Sequence, residues 1–587
     1  MIDIFLDKAK RGESVYISDV RDAFASCNAA VECVVELAVG KPRRYSIPLP
    51  HAGGTEEAAF IKEYFYANIY NLISVLGGKR MIMYIKPGDD HIKELCDTLD
   101  NVFQIKVPRK GRTGYGKCLN VTDRVNAAMG FPAFRFEMKH GECKDEYSNP
   151  ANPKSDAISA FQGAVAVAQR SVLCGVDIGG TDIKVVGTVN GQIKVLKEYD
   201  WLPSAMTSIN QLIMPIVLIV QAIRAALILP DNDRGNELRA ILLSKDSTDE
   251  EMRLALNEAE KEFGEFILLD GIGVNFPDVV IRNKIVGGET PKTQGMRQCS
   301  PDYEAEFGQL AELGGILIGQ CKPGGTVKIA NDGSLAAYTA AVELAHSERA
   351  SEVEYGVFAH SLGTDLGTGW IDENGDIPQI PLEMYNCVIN LGNYPAREFE
   401  ATDLRSVRNF NTGIAGTPQK YAGQSGAYRL ALEYFEQKAP ELYEELFDKG
   451  FITKTETGIE VVLSPQDMRK SLLEHIMVLA DNGQPQAEQV FREIGKYLAA
   501  IWRESEFILC PQAKRRVLFG RFIKRQNCFR LMQEGASEIM DITLDAGDDS
   551  LAFTPLMVDL KNDRVYTVAQ FGQAVGAAYF AAQSRDK

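Results

Sequence analysis

The chain predicts an α/β protein of more than one domain, on three observations. Its 587 residues exceed what one hydrophobic core usually organises. Helix-period and strand-like apolar runs alternate along it. Two well-separated segments also follow the pattern strand, glycine turn, strand, which lets backbone N–H groups approach an anion.

Hydrophobic residues make up 45% and charged residues 24% of the chain, an ordinary balance for a water-soluble globular protein. The net charge of −17 argues against nonspecific binding to nucleic acid or an anionic membrane, since both need positive fields. An anionic substrate in a local basic pocket stays compatible with it. The 11 cysteines include no C-x-x-C pair, so neither a disulfide framework nor a Cys-rich zinc site is indicated, and a reducing, cytoplasmic setting fits. The N-terminus does not read as a signal peptide. LIMPIVLIVQAIRAALIL over 212–229 is only marginally long enough to span a bilayer, and it contains Pro215, Gln221 and Arg224. It reads as a buried helix started by Thr207 or Ser208.

Residues 1–150 read as a separate α/β domain of unassigned role. Apolar residues at helical spacing run from Glu56 to Val75 and stop at Gly77 and Gly78. A short strand over 80–85 and a helix over 91–99 follow. The basic loop KVPRKGRTGYGK over 106–117 suits either an anion, a partner or plain solvation. Polar 141–156 is the linker candidate, and 157–170 a short Ala-rich helix. The charged stretch 228–265 reads as a solvent-facing helical insertion. Helical patterns dominate 425–505.

The strongest chemical signal is VLCGVDIGGTDIKVVG over 172–187. An apolar run ends in Asp177, Gly179 and Gly180 make a tight turn, and a second strand-like run follows. Thr181 offers a hydroxyl, Lys184 a cation, and Asp177 a carboxylate for Mg²⁺, directly or through water. An inert hairpin is the alternative. The segment is neither a P-loop nor a Rossmann fingerprint. VFAHSLGTDLGTGWIDENG over 357–375 repeats the pattern. TVKIANDGSLAA over 326–337 is a strand entering a helix, where Asp332 either accepts a proton from an attacking hydroxyl or simply caps the helix. His360 reads as a packed core histidine.

Together these segments resemble the sugar kinase, heat-shock protein and actin superfamily, and within it the ROK branch of repressors and kinases, over roughly residues 171–587. The resemblance implies a two-lobed actin-like (ribonuclease H-like) ATPase core after the N-terminal α/β domain, with lobes over 171–350 and 351–587. It implies an ATP- and Mg²⁺-dependent kinase acting on a hydroxyl of a sugar or sugar-like small molecule. Asp177, Gly179, Gly180, Thr181 and Lys184, with Gly363, Thr364, Gly367, Thr368 and Gly369, would bind ATP phosphates. Asp332 would be the general base. Asn331 would contact substrate, and so would Asn275 and Asp278 of GIGVNFPD over 271–278. The helix, proline turn and strand over 486–522 lead to an adenosine pocket at Gly520 and Arg521, and the small residues of 570–579 permit close helix packing.

The chain also departs from that pattern. EMYN over 383–386 stands where many members carry Glu-x-Gly-His, so Glu383 is either a sugar ligand or an exposed or capping residue. Cys387 stands alone there, so zinc is not expected. The loop over 411–426 suits a surface, substrate or nucleotide role. A ligand-sensing regulator and a pantothenate kinase are the competing readings, no helix-turn-helix stands out, and homo-oligomerisation is left open.

Overall fold

The computed structural model describes residues 2–143, 156–287, 293–363, 366–392, 399–513 and 515–583. The chain forms two compact units: residues 1–151, 361–368 and 380–545 make the first, and 152–360, 369–379 and 546–587 the second. This differs from a chain cut into a separate 1–150 domain and lobes over 171–350 and 351–587, and the packing explains why.

In the first unit, β1 (Ala30–Glu36), β2 (Arg43–Pro48), β3 (Arg80–Ile85) and β4 (Arg135–His140) form a sheet of order β2-β1-β3-β4. β1 runs antiparallel to both its neighbours, and β3 and β4 are parallel. The helix Thr55–Leu76 is buried continuously from Tyr64 to Leu76, as an all-round apolar helix must be. Gly77 ends it at φ 63°. The next helix spans Asp90–Asp97. Residues 106–117 hold two short 3-10 turns, and Gly114 N–H donates to Thr412 O at 3.1 Å.

Long-range polar bonds tie this segment to residues 380–545 of the same unit. Arg21 donates to Glu504 at 2.7 Å, and both side chains are nearly inaccessible. Asn71 donates to Glu504 at 2.9 Å and to Val388 O at 2.9 Å. Tyr45 donates to Ile508 O at 2.6 Å. A buried ion pair of this kind costs about 3–5 kcal/mol when one partner is removed. Residues 2–143 therefore share an interior with the later segment of this unit, which local periodicity does not reveal.

The second unit holds a five-stranded sheet of β5 (Val172–Ile178), β6 (Asp182–Val189), β7 (Gln192–Asp200), β8 (Leu269–Phe276) and a long strand at its edge. A small antiparallel pair, β9 (Val280–Ile281) and β10 (Lys284–Ile285), precedes that edge strand, β11 (Cys321–Asn331). The order is β11-β8-β5-β6-β7. β5, β6 and β7 make an antiparallel meander, and β8 and β11 add in parallel. This is the ribonuclease H-like order. The helix Val568–Ala582 lies flat on the sheet. A methyl group at Gly175 would stand 1.9 Å from Ala574 O, and one at Gly273 would stand 1.8 Å from Ala577 O. Only glycine permits that approach, and the small residues of 570–579 serve it from the helix side.

The helix Ile209–Ala226 is started by a Ser208–Gln211 capping box. It is long and apolar enough to cross a membrane, and Leu212, Ile216, Ile219 and Ile223 lie in this unit's core. The charged stretch forms helices Asp233–Leu243 and Asp249–Phe263. Their apolar faces, including Leu238, Leu242, Met252 and Leu256, pack on Leu218 and Ala222 of the long helix. Lys197 is buried beneath them. It donates to Ser244 O at 2.8 Å, at the carboxyl end of the first helix, where a cation complements the dipole. Burial pushes its pKa down to about 8.

β12 (Val357–Leu362) and β13 (Leu366–Ile371) form the second glycine hairpin, and the chain passes from one unit to the other within it. After it come helices Gln424–Lys438, Pro440–Asp448, Arg469–Asp481 and Pro485–Leu509. The helical pattern of 425–505 concealed a short antiparallel pair, β14 (Ile452–Thr455) and β15 (Gly458–Val461). β16 (Arg515–Gly520) and β17 (Thr543–Ala546) complete a sheet of order β13-β12-β16-β17. No two of the described cysteines are joined in a disulfide. Most of the expected linker, 144–155, lies outside the described residues.

Candidate functional site

In the second unit the strand registers set one row of residues across the sheet. Asn275 of β8 pairs with Ala330 of β11 and Asp177 of β5, Asp177 pairs with Lys184 of β6, and Lys184 with Glu198 of β7. The row lies at the carboxyl ends of the parallel strands, where open α/β sheets bind ligands.

Asn275 donates to Asp177 Oδ1 at 2.5 Å. Its own Oδ1 is buried with no hydrogen-bond partner. Desolvation pushes the Asp177 carboxyl up to about 6. Lys184 and the Asn275 amide oppose that shift, while the charges of Asp182 and Asp332 add to it. A carboxyl held in this state gains from a nearby cation. Lys184 is also ion-paired with Asp182, an acid inside the motif that sequence reasoning left without a role.

The turn joining β5 and β6 is tight: Gly179 N–H donates to Asp182 O at 2.8 Å. Gly180 and Thr181 at its tip are exposed.

β11 delivers Asn331 and Asp332 to the start of the helix Asp332–Leu344. Asn331 Oδ1 accepts from Gly333 N–H at 3.0 Å and Ser334 N–H at 3.4 Å, so Asn331 is the helix N-cap. Its amide donates to Asp278 O at 3.0 Å. Asp278 itself is buried, and its Oδ1 accepts from Val279 N–H at 2.8 Å. Asn331 and Asp278 thus hold the end of β11 in place. Asp332 Oδ1 accepts from Gly333 N–H at 2.8 Å. β13 crosses close to this helix start, since a methyl group at Gly369 would stand 1.7 Å from Gly333 O.

The second unit therefore brings together Asp177, Gly179, Gly180, Thr181, Lys184, Asn275, Asp278, Asn331, Asp332 and Gly369. Gly363, Gly367, Thr368, Glu383, Gly520 and Arg521 belong to the first unit, and Thr364 lies outside the described residues. Gly363 O accepts from Gln424 N–H at 3.1 Å, which ties the second turn to the loop over 411–426. Gly520, at φ 106°, passes so close that a methyl group there would stand 2.2 Å from Leu362 O. Glu383 begins a short turn. Its main-chain N–H donates to Ser74 O at 3.3 Å and its carboxylate accepts from Asn386 at 3.3 Å. His360 is fully buried.

Two residues escaped the sequence reading. Trp201 donates from Nε1 to Gly179 O at 3.1 Å, and no local pattern marks it. Glu343 is buried in the helix Asp332–Leu344. It accepts from Phe553 N–H at 2.7 Å, Thr554 N–H at 2.8 Å and Thr554 Oγ1 at 2.6 Å. A glutamate on an otherwise small, apolar helix was the available signal. Among the described residues, no group of three or more His, Cys, Asp or Glu side chains is arranged to hold a metal.

No family model and no curated protein sequence matches the chain. It is similar to several solved structures. One is a ROK family glucokinase from Streptomyces griseus in complex with glucose and AMPPNP, at 16% identity, covering 70% of this chain and 100% of that one with a TM-score of 0.38. A putative N-acetylmannosamine kinase from Listeria monocytogenes matches at 14% identity over 71% of this chain and 100% of that one, TM-score 0.38. A ROK family transcriptional regulator, homolog of an Escherichia coli protein, matches at 13% identity over 70% and 81%, TM-score 0.38.

Proposed function

We propose that this chain is an ATP-dependent phosphotransferase that transfers the γ-phosphate to a hydroxyl of a sugar or sugar-like small molecule. One observation carries the reading. Asp332, which follows the last residue of β11, and Asp177, near the end of β5, lie at the same carboxyl edge of one sheet with β8 between their strands, beside an exposed glycine turn, and the charge of Asp332 is felt at Asp177. A general base, a cation-binding carboxylate and a phosphate turn are what phosphoryl transfer to an alcohol needs, since its catalysis is mainly positioning and charge stabilisation.

In this reading Asp332 takes the proton of the attacking hydroxyl through Oδ2, while Gly333 N–H holds Oδ1. Asn275 accepts a hydrogen bond from the acceptor molecule with its unpartnered Oδ1. Asn331 and Asp278 fix the end of β11 and line the acceptor side, with Glu383 as a further acceptor contact. Gly179, Gly180, Thr181 and Lys184, with Gly363, Thr364, Gly367, Thr368 and Gly369, bind phosphates, and Gly520 and Arg521 the adenosine. The Asp177 carboxyl, raised by desolvation, fits a divalent cation. Mg²⁺ held by Asp177, directly or through water, would neutralise phosphate charge.

The test is ATP consumption with Mg²⁺ across sugars, amino sugars, polyols and pantothenate. Asp332→Asn is expected to lower turnover by about 10²-fold or more, with ATP binding nearly intact. Full turnover in that variant would remove Asp332 as base. ATP binding without turnover on any compound would favour a ligand-sensing regulator.

A further inference from the structure

We infer that Trp201 is a positioning residue that aims the N–H groups of the first glycine turn at a phosphate-type anion. The inference rests on the kinase reading and adds to it the device that shapes the turn. Asp200, the last residue of β7, pairs with Asp182, so Trp201 stands beside Thr181. Its main-chain N–H donates to Thr181 O at 3.1 Å, and its indole Nε1–H donates to Gly179 O at 3.1 Å. Two carbonyls of one short turn are thereby drawn towards the same residue.

The peptide bonds of this turn are trans. In a trans peptide the C=O and the following N–H point in opposite directions. The N–H groups of Gly180 and Asp182 consequently face away from Trp201. Neighbouring N–H groups presented by a turn form an anion-binding concavity. The backbone approaches itself closely here, since a methyl group at Gly179 would stand 2.7 Å from Asp182 O. Asp182, an acid of this turn, is ion-paired with Lys184, so its charge does not stand alone against an incoming phosphate. The Trp201 ring packs against the core of this unit, which fixes the direction of its N–H.

The experiment titrates Mg·ATP and, separately, inorganic pyrophosphate into the full chain and three variants. Trp201→Phe and Trp201→Tyr keep an aromatic ring and the main-chain bond but lack a donor at the Nε1 position. Trp201→His places Nε2–H at the same distance along the side chain. Loss of one hydrogen bond that holds the turn is expected to weaken both ligands by about threefold to tenfold in the Phe and Tyr variants. Trp201→His is expected to recover most of the loss, and the KM for the acceptor to stay unchanged in all three. The Tyr variant serves if the Phe variant fails to fold. Binding within roughly twofold of wild type in a folded donorless variant, or an equal loss in Trp201→His, would overturn the inference. Pyrophosphate binding that depends on Trp201, without turnover of ATP, would sustain the inference and sink the kinase reading. Wild-type protein that binds neither ligand would sink both.

Discussion

The two glycine turns look alike in sequence and are built differently. The first lies wholly within the second unit. It is closed by its own backbone and held from outside by Trp201. The second is shared between the units: Gly363 is tied to Gln424 in the first, while Gly369 packs on Gly333 in the second. A repeated motif thus need not mean a repeated support. One turn is a self-contained fitting, and the other depends on what each of its ends is packed against.

The largest expected effect follows from that difference. Gly369→Ala forces a methyl group onto backbone, which should cost upwards of about 3 kcal/mol in urea unfolding monitored by circular dichroism. An intermediate effect concerns the same helix at its other end. Burial raises the Glu343 carboxyl to about 7 from an ordinary 4.5, against the opposing pull of Thr554 and Phe553. Its folded pKa is the higher one, so the folded state binds the extra proton. The associated stability is fully present below pH 4.5 and is lost as pH rises through 7. Unfolding free energy should therefore fall by on the order of 2–3 kcal/mol between pH 5 and 8, and Glu343→Gln should flatten that slope. The smallest effect belongs to Gly363→Ala. No atom lies within 4 Å of the added methyl, so stability should change by less than about 0.5 kcal/mol. A large loss there would erase the contrast between the ends of the second hairpin.

Much of the second unit was legible because its signals are local. The β5 to β6 turn follows from glycines between two apolar runs. The helix over 209–226 follows from continuous apolarity after Ser208. What stayed hidden depends on distant partners. Nothing near Arg21 announces Glu504, and nothing near Trp201 announces Gly179. Asn331 is ambiguous for another reason: the residue types that contact a hydroxylated ligand also cap helices, and here the side chain caps. The hairpin over 452–461 was hidden by its brevity among long helices.

The Arg21–Glu504 pair spans 483 positions, and that separation has a consequence for the nascent chain. At synthesis rates of about 5–20 residues per second, Arg21 waits on the order of half a minute to more than a minute for its counter-charge to leave the ribosome. During that interval the amino-terminal sheet and its apolar helix exist without the segment that completes them. A growing polypeptide of this design is a natural client for chaperones, and a fragment ending near residue 150 should be harvested from inclusion bodies rather than from the clear lysate.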